Sequence, residues 1–129
     1  MSKKIIVANW KMNPASLKEA KSLFDSAKKV ASRLAKVETV ICPPFIYLSE
    51  LGHSMSKLKL GAQDVSRFDF EGAHTGEVSA KMLKNAGVKY ALIGHSERRK
   101  LGETNEIINK KLGISLSLGL KAIFCVGEE

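Results

Sequence analysis

The chain contains the stretch Val88-Lys89-Tyr90-Ala91-Leu92-Ile93-Gly94-His95-Ser96-Glu97-Arg98-Arg99, an apolar run followed directly by polar side chains. The run predicts a strand, and the polar group marks the start of a helix. In parallel α/β folds, ligands bind beyond the carboxyl ends of strands, and the first N–H groups of a helix favour anions and neutral imidazole. The stretch therefore predicts a candidate site around His95, although a lone histidine there also fits a solvated helix start.

Short runs of apolar and β-branched residues recur along the chain and predict a parallel sheet. Predicted strands cover residues 5–8, 37–42, 58–62, 88–93 and 120–126. Helical patterns separate these strands, so strand and helix alternate, and such an order requires right-handed crossovers between parallel strands. The expected fold class is α/β, with about five parallel strands and four helices.

Capping residues mark the predicted helices. Ser16, followed by Glu19, starts the first helix, and a Cys-Pro-Pro sequence at residues 42–44 precedes a second that runs to about residue 54. Ser79 caps the third helix, and Thr104 caps the fourth. Glycines at positions 87 and 119 provide the left-handed exits of these last two helices.

Two of the predicted helices have an apolar face that is expected to pack on the sheet. In the first helix this face comprises Leu17, Ala20, Leu23, Phe24, Ala27, Val30, Ala31 and Leu34. In the fourth helix it comprises Ile107, Ile108, Leu112 and Leu116.

Length and composition indicate a single globular unit. The 129 residues, 44% of them hydrophobic, predict one domain over residues 1–129 with no internal boundary. The formal net charge of +8 suits an anionic small molecule. Because the lysines are scattered and the aromatic residues do not interleave with them, nucleic-acid binding ranks last among the functions considered.

The cysteines and the amino-terminal residues favour a cytoplasmic protein. Cys42 and Cys125 lie in apolar runs, so both are expected to be reduced, and Cys125 is expected to be a core residue rather than a nucleophile. The apolar run near the start is too short for an export signal. No stretch approaches the roughly 20 apolar residues of a membrane helix, so no membrane partner is expected.

A second polar cluster, Asn9-Trp10-Lys11-Met12-Asn13, follows the first predicted strand. In a parallel sheet it lies on the same rim as His95. A lysine ammonium attracts a phosphate or an enolate oxygen, an amide donates to a carbonyl oxygen, and a neutral imidazole donates to the developing charge. Taken singly, each residue has a simpler explanation, as a turn asparagine, a core tryptophan or a solvated lysine.

The segment from residue 64 to residue 75 is long for a loop between a strand and a helix. Loops of this length are usually functional. Phe68 and Phe70 in this loop either bind a partner or pack back on the body of the protein, and the sequence does not separate these alternatives.

Together, the cluster at residues 9–13 and the segment at residues 94–99 resemble the triosephosphate isomerase family. Further motifs agree with this resemblance in order and spacing over the whole chain. They are Pro43-Pro44, Gly61-Ala62-Gln63-Asp64, Thr75-Gly76-Glu77 and Cys125-Val126-Gly127-Glu128.

The resemblance implies a (β/α)8 barrel that interconverts dihydroxyacetone phosphate and glyceraldehyde 3-phosphate through an enediolate, with no metal or cofactor. The family is an established example of a neutral histidine acting with a glutamate base. By motif, Lys11 stabilises the substrate phosphate and oxyanion, Asn9 contacts the substrate, and His95 moves hydrogen between the two substrate oxygens. Glu97 matches a carboxylate that holds Lys11, and both a structural pairing role and a direct catalytic role are open for it.

The resemblance also implies a subunit interface. In the family, Thr75 reaches the region of Asn9 and Lys11 in the neighbouring subunit, so Thr75 and Met12 are the candidate interface residues. His74 stands where the family usually has a bulky apolar residue, which alters the expected packing of this interface.

A barrel of eight strands needs about 250 residues, and this chain has 129. The resemblance places the proton-abstracting glutamate, the lid loop and the phosphate-gripping loops in the remaining half, so the chain alone is expected to be inactive. A piece of five strands is also expected to leave Ile5, Val7, Ile41, Leu92 and the strand at residues 120–126 without partners.

Two hypotheses follow from this incompleteness. In the first, the chain is part of an isomerase that is active once completed by a longer chain, a second copy or a complementing chain. In the second, it is a non-catalytic half-barrel that serves only for association.

Overall fold

In the part of the chain that the structure describes, five short strands form one parallel sheet. The computed structural model describes residues 3–53 and 57–127. The strands are β1 (Lys4–Asn9), β2 (Val37–Cys42), β3 (Leu58–Ala62), β4 (Tyr90–Ile93) and β5 (Lys121–Phe124), paired in the order β1-β2-β3-β4-β5. Every pairing is parallel, from Lys4 opposite Val37 in β1 and β2 to Ile93 opposite Phe124 in β4 and β5.

Five helices accompany these strands within the described residues, where about four were expected. They are α1 (Leu17–Ala31), α2 (Phe45–Leu51), α3 (Ala80–Asn85), α4 (Ser96–Lys100) and α5 (Asn105–Ser117). The short helix α4 begins at the predicted helix start after the fourth strand and ends at Lys100. Gly102, in a left-handed conformation, then precedes Thr104, which caps α5. The end expected for the second helix, at residue 54, lies outside the described residues.

The predicted caps are confirmed. The side chains of Ser16, Ser79 and Thr104 accept hydrogen bonds from backbone N–H groups in the first turns of α1, α3 and α5. The strands β2 and β3 begin and end where predicted, whereas β4 begins two residues later than expected and β5 begins one residue later and ends two residues earlier. The late starts have a common cause, which is that the N–H groups of Val88 and Leu120 close the preceding helices by donating to Leu83 and Ser115, at 3.0 and 2.9 Å.

The sheet is covered on two faces by separate apolar clusters. Ile41, Leu60 and Ile93 belong to the larger cluster, in which α1, α2, α3 and α5 pack on the outer face. A smaller cluster lies on the inner face, where side chains of β1, β2, β4 and β5 pack together. Its members are Val7, Val40, Cys42, Tyr90, Leu92, Ile123 and Cys125. The structure therefore confirms the predicted α/β fold, a partial barrel of five parallel strands.

The exposure of several apolar side chains differs from the prediction. Ile41 and Leu92 are buried, because the former packs under the helices and the latter lies among the inner side chains. Conversely, Leu23 and Val30 of α1 and Leu116 of α5 are at least half exposed, because they lie on helix flanks that none of the described elements covers. The expectation is confirmed for Ile5, which is 52% exposed, but not for Val7, which is half-buried against the inner cluster.

The helices described between residues 3 and 127 include none with the length and apolar character needed to span a bilayer.

Gly61 in β3 provides space on the inner face. A Cβ atom at this position would lie 2.5 Å from Cys42 Sγ and 3.1 Å from Val40 Cγ1. Neither neighbour is at the far end of a long side chain, so both would have to shift within a packed layer. The missing side chain of Gly61 therefore allows Cys42 to occupy the inner cluster.

The change Gly61→Ala is expected to destabilise the fold by about 1–3 kcal/mol through overpacking. Urea unfolding of the protein measures this change in the free energy of unfolding. Gly113→Ala is the matched control, because Gly113 lies in α5 with open space around its Cα, and alanine there is expected to stabilise by about 0.5–1 kcal/mol. Equal effects of the two variants would contradict the packing argument. A second change, Cys42→Ala, is expected to restore part of the stability lost in Gly61→Ala, because it removes the sulfur that the new Cβ would contact.

The two cysteines are free and differ in exposure. Burial raises the pKa of the Cys42 thiol to about 12, and the nearby Cys125 adds to the rise. Burial also raises the pKa of Cys125, while the positive charge of Arg99 opposes that rise. Cys125 lies just after β5 and is half-buried against the inner cluster, so, contrary to the prediction from the sequence, it is neither in the strand nor fully buried.

Iodoacetamide is expected to modify Cys125 at least about tenfold faster than Cys42 at pH 8, because only the thiolate reacts and Cys42 is both buried and protonated. Peptide mapping by mass spectrometry measures the two rates. In concentrated urea, where the environments are lost, the rates are expected to converge. Equal rates in the native protein would show that Cys42 is not held in this environment.

Candidate active site

A cleft of about 160 Å³ lies at the carboxyl ends of β1, β3 and β4. It is lined by Asn9, Lys11, Phe45, Gln63, Asp64, His95, Glu97 and Arg98. Four residues that the sequence singled out as site candidates, Asn9, Lys11, His95 and Glu97, are thus brought together, although 80 or more positions separate the two pairs. The reason is topological, because parallel strands place their carboxyl ends on one rim.

Lys11 has an unusual backbone in the loop after β1. Its φ of 56° makes it the only non-glycine residue with positive φ in the described chain, a conformation that costs an L-residue about 1–2 kcal/mol. Its N–H donates to Asn9 Oδ1 at 2.9 Å, and its carbonyl oxygen accepts from Gln63 Nε2 at 2.8 Å. Contacts on both sides of the residue therefore hold the strained conformation.

His95 is held at the start of α4. Its Nδ1 accepts a hydrogen bond from the backbone N–H of Glu97 at 3.1 Å. Nδ1 also lies 3.6 Å from Glu97 Oε1, but an ion pair there would need a proton on Nδ1, where the backbone N–H already points. The shorter contact decides the protonation pattern: a neutral imidazole with its proton on Nε2.

Glu97 links the two halves of the site. Its Oε1 lies 3.6 Å from Lys11 Nζ, and both side chains are more than half exposed. An exposed ion pair contributes at most about 1 kcal/mol, so this contact adds little stability. Its consequence is orientation, since it directs the Lys11 ammonium toward the same space as His95.

A group of charged side chains attaches α4 to the body of the protein. Lys111 Nζ lies 2.8 Å from Asp64 Oδ1 and 3.0 Å from Glu103 Oε2, and the side chains of Lys111 and Glu103 are only 6% and 5% exposed. Arg98 pairs with the same two carboxylates, at 3.3 and 3.4 Å. Because buried carboxylates are costly when unpaired, this arrangement holds α4 against β3 and α5.

Arg99 makes a second attachment of α4. Its guanidinium donates to the carbonyl oxygen of Gly94 at 2.9 Å and to Asn105 Oδ1 at 2.8 Å. The residue before His95 is thus tied to the start of α5. Since α4 has no buried residue of its own, polar contacts of this kind, rather than apolar packing, fix the histidine.

Sequence reasoning missed Gln63, Asp64, Glu103 and Lys111 as parts of the site. The sequence could have indicated two of them as site residues. Gln63 and Asp64 directly follow a predicted strand, so they lie at the carboxyl ends of the strands together with His95. The sequence gives no such indication for Lys111, because a lysine in an amphipathic helix ordinarily lies in solvent.

Met12 and Thr75 lie outside the cleft lining. Met12 is 94% exposed, and Thr75 is exposed in the long loop. Their predicted role at an interface stays a prediction.

A second and larger groove, of about 640 Å³, lies between the long loop and α5. It contains none of the predicted catalytic residues. On its wall Phe68 stacks on His74 with ring centroids 3.6 Å apart, whereas Phe70 is 79% exposed, so the two phenylalanines take different environments. Among the described residues, no group of three or more His, Cys, Asp or Glu side chains is arranged to hold a metal ion.

Comparison with known proteins gives one consistent result. The family model described as triosephosphate isomerase matches residues 4–129. Three relatives with this name come from Natranaerobius thermophilus, Alkaliphilus oremlandii and Carboxydothermus hydrogenoformans, at 48%, 46% and 45% identity. Each alignment covers 99% of this chain but only 50%, 52% and 51% of the respective relative.

The chain thus spans about half the length of the curated relatives it matches, and the structure supplies five of the strands of a barrel. These matches extend over nearly every residue and agree with the cleft at the strand ends. The chain belongs to the triosephosphate isomerase family and corresponds to the amino-terminal portion of its barrel.

Proposed function

We propose that this chain provides part of the active site of an enzyme that interconverts dihydroxyacetone phosphate and glyceraldehyde 3-phosphate, a reaction of glycolysis and gluconeogenesis. The observation that carries the proposal is the convergence of Lys11, His95 and Glu97 on one cleft, with Glu97 Oε1 3.6 Å from Lys11 Nζ. An ammonium and a neutral imidazole donor beside each other suit a phosphorylated substrate whose carbonyl oxygen gains negative charge.

Each side chain has a role in this proposal. Lys11 attracts the substrate phosphate and stabilises the oxyanion. The amide of Asn9, whose Oδ1 accepts from the Lys11 N–H, contacts the substrate through its NH2 group. His95 donates from Nε2 and moves hydrogen between the two substrate oxygens. Glu97 orients Lys11 and completes the catalytic group.

Isomerisation also needs a base that removes a proton from substrate carbon. Glu97, the carboxylate nearest His95 in the cleft, is engaged with Lys11. We therefore assign the base to the part of the family's barrel that this chain does not span, and the chain alone is inactive in this proposal. The reaction requires no metal or cofactor, because the lysine and the imidazole stabilise the enediolate.

The same proposal covers the organisation of the protein. Residues 1–129 form a single partial domain that operates in the cytoplasm. Its open sheet edges are completed by the rest of a barrel, by a complementing chain or by a second copy, and Thr75 and Met12 contribute to an interface between subunits. The exposed Ile5 and Ile6, each 52% accessible in β1, favour completion at that edge.

The alternative function is a non-catalytic half-barrel that serves only for association. The exposed apolar groups of β1 favour it, together with Phe124 of β5, which is 48% exposed. Association alone, however, does not require the converging charges of the cleft. Activity after completion separates the two functions.

Completion is tested by fusing residues 1–129 to the complementary half of the Natranaerobius thermophilus relative. We expect isomerase activity from the fusion and none from either half alone, because the proton-abstracting base and the lysine–histidine pair lie on different halves. A coupled assay of glyceraldehyde 3-phosphate formation measures turnover, and size-exclusion chromatography measures assembly. A folded fusion without activity would favour the association module.

In the active fusion, Lys11→Ala is expected to abolish measurable turnover, and His95→Gln to lower kcat by orders of magnitude with a modest change in KM. Steady-state kinetics measures both effects. Lys18→Ala and His53→Gln are matched controls, because both positions are exposed and outside the cleft. Near-normal rates for Lys11→Ala or His95→Gln would reject the assigned roles.

A further inference from the structure

We infer that Gln63 is a positioning residue for Lys11, holding its backbone in the left-handed conformation that directs the ammonium into the cleft. This inference rests on the proposed function, because it concerns the lysine to which that function assigns substrate binding.

The geometry gives Gln63 two simultaneous contacts. It directly follows β3, and its Nε2 donates to the carbonyl oxygen of Lys11 at 2.8 Å and to that of Cys42 at 2.9 Å. A side-chain amide has two N–H donors, and here each has its own acceptor. The Cys42 carbonyl oxygen also accepts from the N–H of Trp10 at 3.0 Å. Gln63 therefore ties the loop after β1 to the end of β2.

The Lys11 backbone needs such a tie. Lysine has a full Cβ and lacks the short polar side chain that lets asparagine stabilise a left-handed conformation locally. The Asn9 side chain holds only the N–H of Lys11, and the Lys11 side chain is 57% exposed, so packing does not fix it. Without Gln63, the carbonyl side of the residue is released and φ can return to negative values, which turns the side chain away from Glu97.

The residue type is specific to this task. A carboxylate of the same shape would face two carbonyl oxygens with negative charge, and an apolar side chain of similar length would donate to neither. The contacts of Gln63 are with backbone atoms, so its effect on the reaction passes through Lys11 rather than through the substrate.

The test uses the active fusion described above, with Gln63→Met. Because Lys11 is assigned both the phosphate and the oxyanion, we expect KM to rise and kcat to fall, lowering kcat/KM by about 10- to 100-fold. This pattern differs from that of His95→Gln, which is expected to leave KM nearly unchanged.

The variant Gln63→Glu provides a readout that a merely structural role would not change. When the new carboxyl is ionised it repels both carbonyl oxygens, and when it is protonated its O–H donates to one of them. The ratio of its kcat/KM to that of the unmodified fusion is therefore expected to rise as pH falls. Gln63 is the only glutamine of the chain, so the matched control is Asn109→Asp, an amide-to-carboxylate change on the exposed side of α5, whose ratio is expected to stay constant.

The outcomes separate the two proposals. An inactive unmodified fusion would overturn the proposed function, and this inference with it. An active fusion in which Gln63→Met retains kcat/KM within twofold would overturn the inference alone. Should Gln63→Met not fold, the pH dependence of Gln63→Glu decides, and a ratio that does not change with pH would likewise overturn the inference.

Discussion

Parallel pairing of the five strands is the constraint on which the rest of the structure depends. Because β1 to β5 all run in one direction, the loop after β1 and the start of α4 meet on one rim although they are distant in sequence. The helices that return the chain cover the outer face and leave this rim open. The cleft is thus a result of topology, and the polar residues that follow the strand ends determine its chemistry.

The rim is held together by polar contacts, in contrast to the apolar layers beneath it. The helix α4 buries no residue, and its position depends on Arg98, Arg99 and the buried pair of Lys111 and Glu103. The loop after β1 depends in the same way on Asn9 and Gln63. Hydrogen bonds and ion pairs are directional, so they fix orientation where packing alone would fix only proximity.

Local signals in the sequence were sufficient for much of the fold. The caps at Ser16, Ser79 and Thr104 are short-range features, and β2 and β3 are apolar runs with clear ends. The four candidate site residues could be found because strand ends and polar clusters coincide. Each of these signals lies within a few positions along the chain.

The features that could not be predicted depend on contacts between distant residues. Gln63 and Lys11 are 52 positions apart, and Lys111 and Asp64 are 47 apart, so nothing near either residue indicates its partner. The exposures of Leu23 and Val30 were missed for a related reason. Helical periodicity identifies the apolar face of a helix. How much of that face is buried depends on which neighbouring elements pack against it.

The strand order has a consequence for how the chain reaches its structure. Among the strands that the structure describes, each pairs with the one that precedes it in sequence, and none inserts between two earlier ones. During synthesis, the partner of each new strand has therefore already been made, so the strand order allows the sheet to grow in the direction of translation. Each strand pairs with an element close to it in sequence, which limits the loop-closure entropy lost at each pairing step.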